Sequence, residues 1–299
     1  MKILLTGATG FIGKHLVPRL MEYTHEPVLL VRSADKARRL FGDQVRVVTD
    51  LEQLDNHEQI NGIINLAGEG IVDQRWSEQR KQVLLDSRLD TTRQLIQFIK
   101  RLEHKPEVLI SGSAVGYYGS QEGDQVLAED SVVVDGYPHQ LCQQWEQLAE
   151  EAQAFGLRVC IVRTGIVLGH GGALAKMLPA FRLGLGGRID GGQQWMSWIH
   201  VEDEVEVICM MLTHTLFTGA YNLTAPEAVT NAEFSRELAS VLHRPAWFTV
   251  PGFVLDLMLG EGSELLLKGQ RVYPEKLMQA GYKFAFPDLR TALNQVLLS

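Results

Sequence analysis

Short apolar runs alternate with longer segments of helical period along the first half of the chain. Several of these runs are apolar throughout, which is typical of strands that helices cover on both faces. Strands that alternate with helices favour βαβ units and a parallel sheet. The pattern therefore predicts an α/β fold with a doubly wound parallel sheet, whose strands lie at residues 2–5, 28–31, 45–48, 63–66, 108–110 and 159–162.

The regular alternation stops near Gly169, where glycine-rich loops and segments rich in proline, tryptophan and leucine take over. This change predicts a second, smaller and mostly helical domain made of residues 170–192 and 225–299. The larger domain comprises residues 1–169, and residues 193–224 are expected to return to it because residues 221–223 look like a further strand. In the smaller domain, Asn231 followed by Glu233 predicts a helix with Asn231 as its cap.

A glycine-rich turn follows the first strand directly and opens a helix. Its glycines have GxxGxxG spacing. Glycines let the backbone turn tightly and approach phosphates, and a helix N-terminus offers unpaired N–H groups to an anion. The turn therefore predicts a Rossmann-like, dinucleotide-binding larger domain, in which the cofactor contacts Gly7, Thr9, Gly10, Phe11, Ile12 and Gly13.

Arg32 stands at the end of the second strand, close to the spacing of about 20 residues at which the ribose-binding residue follows such a turn. An acidic side chain there would bind the ribose 2′-hydroxyl of NAD. Arg32, with the neighbouring Ser33, instead offers a cation to a 2′-phosphate. We therefore expect NADP(H) to be preferred over NAD(H). The alternative interpretation is a solvated basic start of the next helix.

The composition narrows the class of partner. The chain has 299 residues, of which 45% are hydrophobic, and its formal net charge is −8. This charge disfavours binding to nucleic acid or an anionic membrane, so a small molecule is the expected partner. Three cysteines lie far apart, without the spacing of a disulfide framework or a metal site. Since the sequence also shows neither a signal-peptide core nor a membrane span, we expect a cytoplasmic protein.

Further motifs follow the predicted strands in a fixed order. Together with the glycine turn, they resemble the extended branch of the short-chain dehydrogenase/reductase superfamily. Finer features resemble its atypical, NAD-dependent epimerase-like subgroup, which carries a short C-terminal domain of unknown function. The resemblance spans essentially the whole chain. The segments that carry it are Asp50-Leu51, Asn65-Leu66-Ala67-Gly68-Glu69, Arg75-Trp76, Ser111-Gly112-Ser113-Ala114 and residues 163–169, 195–200, 250–252 and 265–272.

This resemblance implies cofactor contacts after the third and fourth strands. Asp50 and Leu51 are expected to border the adenine, and Ala67 and Gly68 to lie beside the nicotinamide ribose, with Glu69 in the same cofactor-binding group. A carboxylate can accept a hydrogen bond from the adenine amino group, and small residues allow close backbone approach. A strand-end cap at Asp50 and tight strand–helix packing at Ala67 and Gly68 are the alternative interpretations.

The usual chemistry of the superfamily uses a tyrosine as acid/base, a lysine four residues later and a serine that hydrogen-bonds the reacting oxygen. By resemblance, Ser113 and Tyr137 are the candidate catalytic residues, but Leu141 stands where the lysine is expected. A nearby ammonium would lower the phenol pKa from about 10 toward neutral pH. Because Leu141 cannot do this, Tyr137 is a poorly matched acid/base, and we expect Ser113 to matter more than Tyr137. Alternative acid/base residues are Tyr117, Tyr118 and His139.

Candidate substrate contacts are Arg75, Arg163, Trp198 and His200. Arg163 ends a strand at the sheet edge where α/β folds bind ligands, and it suits an anionic or carbonyl group. Arginine and tryptophan side chains suit a sugar-like or planar substrate. The alternative interpretations are a buried salt bridge for Arg163, interdomain packing for Trp198 and helix capping for His200.

Two functional hypotheses follow. The first is an NADP(H)-binding oxidoreductase or nucleotide-sugar-epimerase-like enzyme that acts on a small hydroxyl- or carbonyl-bearing substrate in an interdomain cleft. The second is a non-catalytic NADPH-binding sensor or regulatory protein, because the tyrosine–lysine pair is absent. Members of the superfamily usually form homodimers, so the resemblance implies one, through helices that include residues 91–100 and 141–155.

Overall fold

The apolar runs of the sequence form a seven-stranded parallel sheet. The structure is a computed structural model and describes residues 1–121 and 123–298. The central strands are buried along almost their whole length, as expected for strands covered on both faces. The prediction of an α/β fold with a doubly wound parallel sheet and a smaller, helical C-terminal region is confirmed.

The strands are short, and the two longest, β5 and β7, are neighbours in the sheet. In chain order the strands are β1 (Lys2–Thr6), β2 (Glu26–Leu30), β3 (Arg46–Val48), β4 (Gly62–Asn65), β5 (Val108–Ala114), β6 (Val126–Leu127), β7 (Arg158–Thr164), β8 (Ile166–Leu168), β9 (Gly187–Ile189), β10 (Trp195–Met196), β11 (Trp198–His200), β12 (Gly219–Leu223), β13 (Val229–Thr230), β14 (Phe248–Val250) and β15 (Arg271–Val272).

The helices alternate with the strands in the first half and dominate the C-terminal region. They are α1 (Phe11–Glu22), α2 (Ala34–Phe41), α3 (Glu78–Arg101), α4 (Tyr137–Glu150), α5 (Gly172–Arg182), α6 (Val201–Thr213), α7 (Asn231–Val241), α8 (Gly252–Leu259), α9 (Glu264–Leu267), α10 (Glu275–Gln279) and α11 (Leu289–Leu298). In the part of the chain that the structure describes, no helix has the length and apolarity needed to cross a membrane.

The strand order of the main sheet is β12-β7-β5-β4-β1-β2-β3. The order reverses between β1 and β4, so the connections that leave the carboxyl ends of these two strands run in opposite directions and leave a crevice between them. Such a topological switch point is where α/β sheets bind ligands. Strand β12 pairs with β7, so the prediction that residues 221–223 return to the sheet is confirmed.

Apolar side chains cover both faces of the sheet. Helices α1 and α6 pack on one face, and α3 and α4 pack on the other. A third apolar cluster joins α5, α7 and α11 in the C-terminal region. Small strand pairs connect this region to the rest of the chain, among them β10 with β13 and β15 with β6.

The start of α7 differs from the sequence prediction. Thr230, rather than Asn231, is the N-cap: its hydroxyl accepts a hydrogen bond from the Glu233 amide, and the Glu233 carboxylate accepts one from the Thr230 amide at 2.8 Å. Threonine three residues before glutamate is the spacing of a capping box. The Asn231 side chain instead accepts a hydrogen bond from the Ile189 amide at 2.7 Å, so it connects α7 to β9.

A buried chain of hydrogen bonds crosses the switch point, and we call it the Asn65 network. The Thr6 hydroxyl donates to Asn65 Oδ1 at 2.7 Å, and Asn65 Nδ2 donates to the Thr92 hydroxyl at 2.9 Å. Thr92 also accepts from the Trp145 indole at 3.1 Å and donates to the Arg88 carbonyl at 2.7 Å. The network therefore connects β1 and β4 with α3 and α4.

Helix α6 places a carboxyl group in the apolar interior. Glu204 is fully buried, and its only hydrogen-bond partner among the described residues is the Thr164 hydroxyl, which donates to Oε1 at 2.7 Å. Its other oxygen, Oε2, has no partner there. Because burial disfavours the charged form, the pKa of Glu204 is raised to about 8.

We predict that Gly13→Ala lowers the free energy of unfolding more than Gly10→Ala does. A Cβ on Gly13 would lie 2.4 Å from the Gly7 carbonyl oxygen, whereas a Cβ on Gly10 would lie 3.1 Å from the same atom. Overpacking against backbone costs about 1–3 kcal/mol or more, which outweighs the gain of about 1 kcal/mol in helix propensity. Urea unfolding of both variants measures the difference. Equal midpoints would contradict this account of the turn.

We also predict that Glu204→Gln flattens the dependence of stability on pH. The pKa of Glu204 is about 8 in the folded protein, far above that of an unfolded glutamate. The stability that this group contributes is therefore complete below the unfolded pKa and is lost as pH rises through about 8. Glutamine cannot ionise, so urea midpoints of the variant should fall less than those of wild type between about pH 5 and about pH 8.5. The exposed Glu107→Gln is the matched control, and equal slopes for all three proteins would refute the prediction.

Candidate functional site

The glycine turn brings the loops after β1 and β4 into contact. Gly7 has φ +74°, and a Cβ there would lie 2.4 Å from the Leu66 carbonyl oxygen. The Gly10 amide closes the turn on the Gly7 carbonyl at 2.9 Å. Gly10 is also the N-cap of α1 and has no side chain to occupy the first N–H groups of the helix. These groups can bind an anion that approaches closely, so the turn fits a pyrophosphate.

The other predicted residues of the turn surround this helix N-terminus. Thr9, Phe11 and Ile12 are all partly exposed. The Phe11 ring packs under the glycine-rich loop after β8, where a Cβ on Gly171 would lie 2.8 Å from it. The loop after β8 therefore closes one side of the turn.

Arg32 follows β2 and is 93% exposed. Its guanidinium donates to Glu69 Oε1 at 2.7 Å, so two of the predicted cofactor-binding residues are paired with each other. An exposed ion pair contributes only about 0–1 kcal/mol. Arg32 can therefore exchange the Glu69 carboxylate for a more highly charged anion.

The residues after β3 and β4 have well-defined structural roles. Asp50 caps a short 3₁₀ helix that begins at Leu51, and its carboxylate accepts from the Glu52 amide at 2.9 Å. The Ala67 amide donates to the Thr6 hydroxyl at 3.2 Å. A Cβ on Gly68 would lie 3.1 Å from Arg88 Cζ, so a larger residue there would require the guanidinium to shift by a few tenths of an ångström. Contact of these residues with a cofactor stays a prediction.

Ser113 lies in a buried ionic cluster. Its hydroxyl donates to Glu146 Oε1 at 2.5 Å, and Arg163 donates to both oxygens of the same carboxylate, at 3.0 and 2.9 Å. Arg163 also stacks on Tyr117, with Cζ 3.4 Å from the ring centroid. Because Glu146 and Tyr118 hydrogen-bond the guanidinium and outweigh its desolvation, the pKa of Arg163 is raised. The Arg163 side chain is 6% exposed and forms the alternative interpretation, a buried salt bridge, and its contact with a substrate stays a prediction.

Tyr137 is the first residue of α4 and is partly exposed. Its hydroxyl donates to the Lys81 carbonyl at 2.6 Å, and its ring meets the Trp76 ring edge-on at a centroid distance of 5.0 Å. Burial raises the pKa of the Tyr137 phenol, and the positive charges of Arg88 and Lys81 oppose this rise. Leu141, four residues later, is buried and apolar.

Two of the three alternative acid/base residues are buried. Tyr118 is fully buried and donates to Asn222 at 2.6 Å, and burial raises its pKa to about 12. His139 is also buried, with Nδ1 2.5 Å from the Tyr117 carbonyl oxygen. Tyr117 is partly exposed but its ring lies against Arg163. Tyr117 and Tyr137 are therefore both partly exposed phenols beside a cation, but the cation at Tyr117 is already paired with Glu146, whereas Tyr137 has both Arg88 and Lys81 nearby.

Two predicted substrate residues lie inside the protein. Trp198 is fully buried in the C-terminal apolar cluster, and His200 is 1% exposed. His200 caps α6 by accepting from the Glu202 amide at 3.2 Å, and its ring stacks on Phe286 at 3.8 Å. Trp198 and His200 thus have the alternative roles, packing and helix capping, and their contact with a substrate stays a prediction. Arg75 is exposed and lies beside Gly260.

Sequence reasoning missed Glu146 and Arg88. The Glu146 carboxylate accepts hydrogen bonds from both Ser113 and Arg163. Arg88 is the positive charge that most opposes the rise in the pKa of Tyr137. One signal was present: Arg88 stands at i+4 spacing between Leu84 and Thr92, which are core-facing positions of α3. A charged residue on that face indicates a polar site beneath the helix.

Comparison with known proteins agrees with this geometry. The NAD dependent epimerase/dehydratase family matches residues 3–224, and the domain of unknown function DUF1731 matches residues 250–296. The chloroplastic "epimerase family protein SDR39U1 homolog" of Arabidopsis thaliana is 38% identical over 304 residues, which cover 99% of this chain and 87% of the relative. Epimerase family protein YfhF of Bacillus subtilis is 37% identical, and the match covers 99% of this chain and 98% of that relative.

A solved structure gives the same result. The crystal structure of human epimerase family protein SDR39U1 (isoform 2) with NADPH is similar with a TM-score of 0.90 and 32% sequence identity, and the match covers 99% of both chains. Since the family match and these relatives span nearly the whole sequence, the chain belongs to the NAD-dependent epimerase/dehydratase family and carries a DUF1731 domain at its C-terminal end.

Proposed function

We propose that this protein is an NADP(H)-dependent oxidoreductase or epimerase-like enzyme, which acts on a small substrate with a hydroxyl or carbonyl group. The observation that carries the proposal is the combination of the glycine turn at the switch point with the exposed Arg32 at the end of the next strand. The human relative whose structure is described with NADPH supports the same cofactor.

In this proposal the chain holds the cofactor through three features. The open N–H groups of α1 bind the pyrophosphate, Arg32 binds the 2′-phosphate, and Gly68 leaves room at the end of β4. A bound nicotinamide supplies hydride transfer. Tyr137 then exchanges the proton of the substrate hydroxyl or carbonyl oxygen at its Oη atom, because it is the partly exposed phenol of the site.

The contacts of the two candidate catalytic residues support the reverse of the order of importance that the sequence indicates. The Ser113 proton is donated to Glu146, and the side chain is 7% exposed. Its hydroxyl is therefore better suited to holding the Glu146–Arg163 pair in place than to bonding a substrate oxygen. Tyr137 is flanked by cations from α3, so the loss of the lysine at position 141 leaves it less isolated than the sequence indicates.

The second candidate function is a non-catalytic NADPH sensor. The observation that favours it is the apolar Leu141 at the lysine position. The two functions differ in a direct assay, in which purified protein and NADPH are mixed with a panel of small aldehydes, ketones and nucleoside diphosphate sugars. An enzyme consumes NADPH or converts a panel compound, whereas a sensor binds NADPH tightly and does neither.

We predict that NADPH binds at least about tenfold more tightly than NADH, and that Arg32→Ala removes the difference. A charge-assisted contact to the 2′-phosphate is worth roughly 1.5–3 kcal/mol. Calorimetric titration of both nucleotides into both proteins measures it. Arg93→Ala is the matched control, because Arg93 is an exposed arginine paired with Asp90 on α3. Equal affinities of wild type for NADPH and NADH would reject the assignment of Arg32.

We further predict that Tyr137→Phe lowers kcat/KM for any panel compound turned over by about 10²-fold or more, the usual contribution of a general acid/base. Ser113→Ala should lower it less, and should lower the urea midpoint instead, because Glu146 loses one of its donors. A larger kinetic loss in Ser113→Ala than in Tyr137→Phe would restore the order expected from the sequence.

A further inference from the structure

Arg88 is a partly buried cation without an acidic partner. Its guanidinium donates to the carbonyls of Leu84 at 2.8 Å and Glu69 at 3.2 Å, and to the Ser87 hydroxyl at 3.5 Å. None of the ion pairs in residues 1–121 and 123–298 includes Arg88, and the nearby Glu69 carboxylate is paired with Arg32. A cation that is partly removed from water and has no counter-ion interacts strongly with any ionisable neighbour.

The Arg88 guanidinium lies between the loop after β4 and helix α4. Its Cζ lies 5.3 Å from the centroid of the Trp145 ring and 3.1 Å from the place of a Cβ on Gly68. The Thr92 hydroxyl of the Asn65 network bonds the Arg88 carbonyl at 2.7 Å. The guanidinium bonds the Leu84 carbonyl, and the Tyr137 hydroxyl bonds the Lys81 carbonyl at 2.6 Å, so the two groups lie about one helical turn apart along α3.

We propose that Arg88 is the positioning residue that gives the site its permanent positive charge and so makes the Tyr137 phenol usable as an acid/base, a role for which α4 itself provides only Leu141. The inference rests on the proposed function, because a tuned phenol matters only if the site moves protons. The charge comes from α3 instead of α4, and the guanidinium cannot lose its proton at physiological pH.

Other charged groups around Tyr137 are less suited to this role. Lys81 lies 5.4 Å from the Tyr137 ring centroid, but its ammonium is paired with Glu78 at 3.0 Å and with Glu261. Arg80 is buried and also lacks an ion pair among the described residues, and its guanidinium donates to the Gly70 carbonyl at 2.6 Å. Its charge lowers the pKa of Tyr137 less than the charges of Arg88 and Lys81 do. The groups that face Tyr137 or Arg88 are Glu78, Arg80 and Lys81 of α3, Glu261 after α8, Glu69 after β4, and Cys142 of α4.

The test places 3,5-difluorotyrosine, whose phenol ionises near neutral pH, at position 137 and follows its ionisation by ¹⁹F NMR in the protein without nucleotide. We expect Arg88→Met to lower the ionisation constant of this reporter by about three- to tenfold relative to the wild-type background. Arg88→Lys should restore it, because the positive charge is kept. Arg93→Met, which removes an exposed and paired arginine from the same helix, should leave it unchanged.

Two further variants keep the result interpretable. If Arg88→Met does not fold, Arg88→Gln removes the charge while keeping hydrogen-bond donors for the loop after β4. Arg80→Met should shift the reporter less than Arg88→Met. A reporter that ionises at the same pH in wild type and in the folded charge-removing variant would overturn the proposal, as would a larger shift in Arg80→Met.

Calorimetric titration with NADPH separates this inference from the proposed function. Wild type that fails to bind NADPH would reject the proposed function, while the reporter would still show whether Arg88 acts on Tyr137. Wild type that binds NADPH with a reporter insensitive to Arg88 would reject only the inference. A shifted reporter together with a loss of kcat/KM in Arg88→Met that Arg88→Lys recovers would support both.

Discussion

The site depends on one buried side chain, Asn65, whose amide satisfies both of its hydrogen-bonding groups within the Asn65 network. Each unpaired polar atom in such a place costs about 1–3 kcal/mol, so the network is stable only when β1, β4, α3 and α4 are all in position. Thr92 is the junction, because it bonds Asn65, Trp145 and the Arg88 carbonyl together. The network that closes the switch point therefore also fixes α3 against α4, and with them the guanidinium of Arg88 and the phenol of Tyr137.

The fold was largely predictable from local patterns. Continuous apolar strands, a glycine turn after β1 and a return strand at residues 221–223 each have a short-range signature, and the structure contains all three. The glycine turn also predicted an anion site, since backbone geometry there follows from the glycines alone. Cap positions were less certain, because Thr230 and Asn231 are both good caps and only the spacing to Glu233 distinguishes them.

The polar interior was not predictable in the same way, because it depends on which distant side chains meet. Glu146 is paired with Arg163, seventeen positions along the chain, and with Ser113 on another strand. Neither contact has a motif, so Arg163 looked equally suited to a substrate and to a salt bridge. Leu141 leaves α4 without a charge at the position where the lysine is expected, and the cations near Tyr137 come instead from α3, for which the sequence around Leu141 has no signal.

The C-terminal region also contacts the residues that surround Tyr137, and none of its described charged side chains is buried. The Trp76 amide donates to the Leu259 carbonyl at 2.9 Å, and Glu261 pairs with Lys81. Trp76 is also the ring that packs edge-on against Tyr137. Because Lys81 is paired with Glu261, its ammonium is less available as the cation of the site. The packing of Trp76 partly shields the Tyr137 phenol from water. Docking of the C-terminal region thus adds to the burial that makes the phenol harder to ionise, and Lys81, which is paired with Glu261, and Arg88, which is in no ion pair among the described residues, oppose that effect.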